Sequence, residues 1–125
     1  MRRIFKTQSF QRWMRKTELT DVMLCAAVTE MEKGLVDANL GGGVVKKRVA
    51  TPGRGKSGGA RTLLATNHKN RWFFLFGFEK NVRANINTGE LEALRDIAAD
   101  LLALDASKLD TAVAKEKLLE ICHDK

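Results

Sequence analysis

The chain has 125 residues, 44% of them hydrophobic, and a formal net charge of +7. That length suits a single domain, and the apolar content is enough to bury an ordinary core. No stretch is apolar and long enough for a membrane span or a signal peptide, so the sequence predicts a cytoplasmic protein that does not work in a membrane.

Arg2–Thr7 reads as a first strand centred on Ile4 and Phe5. Ser9 is placed to cap a short helix to Lys16 that carries Phe10, Trp13 and Met14. Thr20 caps a second helix, with Leu19 and Leu24 as a hydrophobic staple and Asp21 in the first turn. Leu24, Val28, Met31 and Leu35 continue its apolar stripe to a stop at Gly34. Gly41-Gly42-Gly43 is a breaker. Three strands follow, Val44–Ala50, Thr62–Asn67 and Arg71–Phe78, the last two joined by the hairpin turn Asn67-His68-Lys69-Asn70. From about Asn87 the pattern turns helical through Leu91, Leu94, Ala98, Leu101 and Leu102. Leu109, Val113, Leu118 and Ile121 suggest one more helix. The expected fold class is α+β, a mainly antiparallel four-stranded sheet with helices packed on one face, in the order β-α-α-β-β-β-α-α. Cys25 and Cys122 have no metal or redox spacing and read as two free thiols.

The charge is unevenly spread. Residues 41–83 hold ten Lys/Arg and one acid, Glu79, whereas residues 84–125 are net acidic. Val44–Arg61 alone carries six cations and no acid: Lys46, Lys47, Arg48, Arg54, Lys56 and Arg61. Clustered positive charge favours a phosphate backbone. Cations blunting a sheet edge would account for one or two of these, but not for cations on three successive strands. Ala50–Ser57 superficially matches a relaxed phosphate-binding loop. That reading fails because Gly58 and Gly59 and then a strand follow Ser57, where a helix is needed.

Alternation puts Lys46 and Arg48 on one face of their strand and Lys47 on the other. Arg61 opens the next strand, and Lys80 and Arg83 follow the third. If these strands are neighbours, the cations converge at one end of the sheet. Such a cluster suits RNA cleavage without metal or cofactor, in which a 2′-OH attacks the adjacent phosphorus and cations stabilise the charge that builds up. His68 and His123 read as surface residues and the chain has no tyrosine. A lysine base would need its pKa lowered by neighbouring cations. Glu79 is the only nearby acid and is as well placed to pair with Lys80 or Arg83. Trp72 and the Phe73–Phe78 run are candidates for base stacking, with core packing the simpler role.

The motifs V-K-K-R-V (Val45–Val49), G-R-G-K-S-G-G-A-R (Gly53–Arg61) and F-G-F-E-K-N-V-R-A-N-I (Phe76–Ile86) resemble the RelE/HigB superfamily of bacterial type II toxin–antitoxin toxins, most closely its HigB-like branch. The resemblance covers residues 1–103 as a toxin domain and leaves residues 104–125 as a C-terminal helical extension of the same domain. It implies a ribosome-dependent mRNA endoribonuclease that causes growth arrest and is neutralised by a cognate antitoxin, with a helix-turn-helix protein as one candidate. It further implies catalytic roles for Lys46, Arg48, Arg61 and Lys80, and binding of messenger and ribosomal RNA by Lys47, Arg54, Lys56 and Arg83. Asn81 and the absent tyrosine depart from the best-known pattern. They keep open a non-catalytic toxin, either a ribosome blocker or a ParE-like gyrase inhibitor.

Overall fold

A computed structural model describes the backbone of residues 1–51 and 55–123, and the side chains of these residues outside 55–58. The elements in chain order are β1 (Arg3–Thr7), α1 (Gln8–Met14), α2 (Asp21–Glu32), β2 (Ala38–Gly41), β3 (Val44–Thr51), β4 (Gly55–Thr66), β5 (Arg71–Glu79), α3 (Thr88–Leu102), α4 (Ala106–Ala114) and β6 (Leu118–Ile121). The strands form one sheet in the order β2-β3-β4-β5-β1-β6. All neighbours are antiparallel except β1 and β5, so the fold is α+β as expected, with six strands in place of four.

The helices cover both faces of the sheet. On one face α1 and α2 bring Phe10, Met14, Leu24, Val28 and Met31 onto Ile4, Val45, Leu64, Trp72 and Phe74. On the other, α3 and α4 bring Leu94, Ala98 and Leu109 onto Phe5, Val44, Leu63, Phe73 and Leu75. Expecting helices on one face alone overlooked the meaning of Trp72–Phe78. An almost unbroken apolar run, with no polar residue at alternate positions, belongs to a strand buried on both sides.

The local signals mostly act as read. Thr20 Oγ1 accepts from Met23 N–H to cap α2, and Gly34 leaves that helix at φ +92°. The helix expected from about Asn87 begins there with a capping box that the helical pattern alone did not name, Asn87 and Glu90 bonding reciprocally. The first helix is capped two residues earlier than expected, by Thr7 in place of Ser9, and the Thr7 hydroxyl accepts from Phe10 N–H. Gly41–Gly43 is a turn of three positive-φ residues between β3 and the unforeseen short strand β2.

The last expected helix is half strand. Leu118–Ile121 is β6, paired antiparallel with β1 at the sheet edge. Leu118 and Ile121 are spaced as on a helix face, yet Leu118 enters the α3/α4 core and Ile121 the α1/α2 core. Residues three apart in a strand point to opposite faces, and here both faces are apolar. The helical reading of residues 104–125 therefore holds only for α4. Cys25 and Cys122 are also not free thiols: a disulfide ties α2 to the residue after β6, across 97 residues of sequence.

Candidate nucleic-acid interface

The strands that carry the cations are adjacent. Arg48 of β3 is the direct register partner of Arg61 of β4, which in turn faces Phe78 of β5. One row on, Lys46 faces Leu63, which faces Phe76. Directly paired residues share a face. Lys46, Arg48, Arg61, Phe76 and Phe78 therefore line one end of the α3-side face, and the other end of that face, from Val44 through Ala65 to Phe73, is covered by α3.

Each cation is held differently. Arg61 is 8% exposed, sunk between β3 and β5. Arg48 is exposed at the sheet edge, where its Nε donates to Asp37 Oδ1 at 2.8 Å and its backbone N–H to Oδ2 of the same carboxylate. This is possible because β2 pairs with β3 only as far as Lys46, leaving Asp37 to occupy the edge beyond. Lys80 is exposed in the turn after β5. Arg83 lies over the aromatic end, its guanidinium carbon 5.9 Å from the Phe76 ring centre and 5.6 Å from that of Phe78. Two hydrogen bonds from Arg83 to Glu90 hold it there, raising the guanidinium pKa and lowering that of the Glu90 carboxyl.

Lys47 stands apart. It faces the α2 side, 3% exposed, with its ammonium on Glu30 at 2.7 Å and on the Leu35 carbonyl at 2.9 Å. The geometry gives it a structural contact in place of the expected RNA-binding one. Arg54 lies outside the described residues, as does the side chain of Lys56. Gly55–Ser57 belongs to β4, in keeping with rejection of a nucleotide-binding loop there. Glu79 is paired with Ala60 and so points to the α1 side, away from the cation row. His68 sits at the Asn67–Asn70 hairpin, the far end of β4 from Arg61 and roughly 20 Å away at strand spacing. His123 follows β6 beyond the opposite edge. Trp72, Phe73 and Phe74 are fully buried and take no part in a surface. What the sequence reading missed is Trp13: its spacing looks like core, yet it is half-buried beside Phe76 and Phe78.

Among the described residues no group of His, Cys, Asp and Glu is arranged to hold a metal. No helix among them is long and apolar enough to cross a membrane. The fold is thus an α+β domain whose cations gather at one end of the sheet, beside Phe76 and the buried Phe78 under Arg83, an arrangement suited to a polyanion. The chain belongs to the RelE toxin family: residues 2–121 match the model of the RelE toxin of the RelE/RelB toxin–antitoxin system. The match takes in α4 and β6, beyond the 1–103 span that the motifs suggested. A comparison with curated proteins gave no match.

Proposed function

We propose that the chain is a ribosome-dependent endoribonuclease that cleaves messenger RNA in the cytoplasm and is neutralised by a cognate antitoxin. The observation that carries this reading is the Arg48–Arg61 register pair, with Lys46 on the same face and Lys80 and Arg83 following the next strand. The 2′-oxygen forms a bond to phosphorus while the bond to the 5′-oxygen breaks, and a proton leaves the 2′-OH as one reaches the departing oxygen. Arg61 is the group best placed for the scissile phosphate. Being sunk in the sheet, it is preorganised and needs no reordering as charge develops. Lys46 and Arg48 flank it toward the attacking side, and Lys80 lies toward the leaving oxygen. Membership of a toxin–antitoxin family supports an antitoxin partner, for which a helix-turn-helix protein encoded alongside is the candidate.

The test is to induce the chain in cells and map RNA 5′ ends, with Arg61→Ala as control and its fold checked by circular dichroism. New in-frame ends within translated messages, absent in the control, are expected. Growth arrest with intact messages would overturn the nuclease reading and favour a non-catalytic toxin.

A further inference from the structure

β1 pairs with β5 only from Arg71 to Phe74, so the second half of β5 has an edge that β1 does not cover. The chain leaves β1 at Thr7, which caps α1 and sends that helix over this edge. Trp13 lands on Gly77. A Cβ at Gly77 would sit 2.3 Å from the indole Cζ3, so only glycine lets the ring lie there. Phe10 fixes the ring from behind, with centroids 5.4 Å apart. On the other side the turn after β5 is closed by Val82 N–H and Arg83 N–H, both donating to the Glu79 carbonyl. That turn folds Val82 and Arg83 back beside the strand. Between them lies a largely apolar pocket of about 290 Å³ lined by Trp13, Phe76, Phe78, Glu79, Val82 and Arg83.

We infer that this pocket takes one nucleobase of the bound RNA, adjacent to the phosphate held by Arg61. The inference rests on the RNA-cleavage reading and adds a base-binding site to it. Phe78 is the wall common to both parts: it is the register partner of Arg61 and it lines the pocket. Occupancy by a base is favoured over an apolar peptide because Phe78 joins the pocket to the cation row and Arg83 brings a guanidinium to its wall. Arg83 fits the same role. Its charge is already matched by Glu90, and its side chain remains 34% exposed. It therefore offers a planar stacking surface more than a free positive charge. Aromatic rings and guanidinium planes are the usual partners of unstacked RNA bases.

The experiment measures single-turnover cleavage on ribosomes programmed with a short message, intact or carrying one abasic nucleotide at each position around the cut. The parent chain is expected to lose about tenfold at one position. Trp13→Ala should cleave the intact message as slowly as the parent cleaves that abasic one, with no further loss on combining the two. Val82→Trp, on an exposed turn away from the core, should plug the pocket and give the same pattern without relying on a core change. Cleavage of the intact message with equal rates on every abasic message overturns the base pocket and leaves the nuclease reading standing. Additive losses from Trp13→Ala and the abasic site also overturn it. No cleavage of the intact message by the parent overturns both.

Discussion

Lys46 and Lys47 are neighbours in sequence and opposites in environment. Lys47 points into the α2 side and is consumed by Glu30 and a backbone carbonyl. Lys46 points to the open end, in the row beside Arg48 and Arg61. The α1/α2 side treats Lys6 in the same way, burying it to 4% exposure against Asp21 at 2.7 Å. A cation count therefore overstates a binding surface. Some of the positive charge stitches helices to the sheet and is not available to a polyanion.

The difference can be broken most forcefully at the disulfide, which belongs to the structural side. Closing a 97-residue loop by Cys25–Cys122 should contribute about 4 kcal/mol through the restricted unfolded chain. Reduction, or Cys25→Ala with Cys122→Ala, should lower the thermal midpoint by on the order of 10 °C. Message cleavage measured well below the new midpoint should be unchanged. A loss of cleavage in the still-folded reduced protein would show that the two sides are coupled.

Next in size is the lysine pair itself. Lys46→Ala should reduce cleavage about 100-fold, the typical cost of removing a group that stabilises transition-state charge, and leave the midpoint alone. Lys47→Met should do the reverse. It preserves volume but removes the buried ammonium that Glu30 and the Leu35 carbonyl bind, costing about 1–3 kcal/mol of stability in urea unfolding, with cleavage retained. Equal effects of the two changes on cleavage would erase the distinction between the faces. A smaller effect is expected at the boundary between the two regions. Gly77→Ala forces a methyl group into the Trp13 ring, and overpacking of this kind costs about 1–2 kcal/mol, readable as a lower denaturant midpoint.

The legibility of the fold in the sequence followed the range of the interactions. The cap at Thr20, the Asn67–Asn70 turn and the alternation of Lys46, Lys47 and Arg48 are set by residues a few positions apart, and the structure follows them. The second helical layer depends on burial of β5 from both sides, which Trp72–Phe78 does encode, but as an unbroken apolar run that short-range periodicity does not interpret. Leu118–Ile121 and Cys25–Cys122 are fixed by contacts roughly a hundred residues away, with β1 and α2. No local pattern could have named them. At the interface, the cation row followed from alternation plus strand adjacency. Trp13 did not, because its exposure depends on how far β1 extends along β5.

The smallest expected effect distinguishes the two regions by their carboxylates. Glu120 on β6 takes two hydrogen bonds from Arg3 on β1, which lower its pKa against the opposing effect of partial burial. A carboxyl depressed in the folded state contributes stability above its unfolded pKa, about 4.3, and loses it as pH falls through the lower folded value. Glu90 is lowered too, first by Arg83 and then by the Asn87 N–H, but it braces the interface. Glu120→Gln should therefore flatten the fall in thermal midpoint as pH drops below about 4.3, and leave cleavage untouched at neutral pH. Because the Arg3–Glu120 pair keeps some contact with solvent, the gain is modest and shrinks with added salt. Glu90→Gln should loosen Arg83 from Phe76 and Phe78 and show itself first in cleavage at neutral pH. If Glu120→Gln alters cleavage and Glu90→Gln does not, the assignment of β1–β6 to the scaffold and of the Arg83 turn to the interface is reversed.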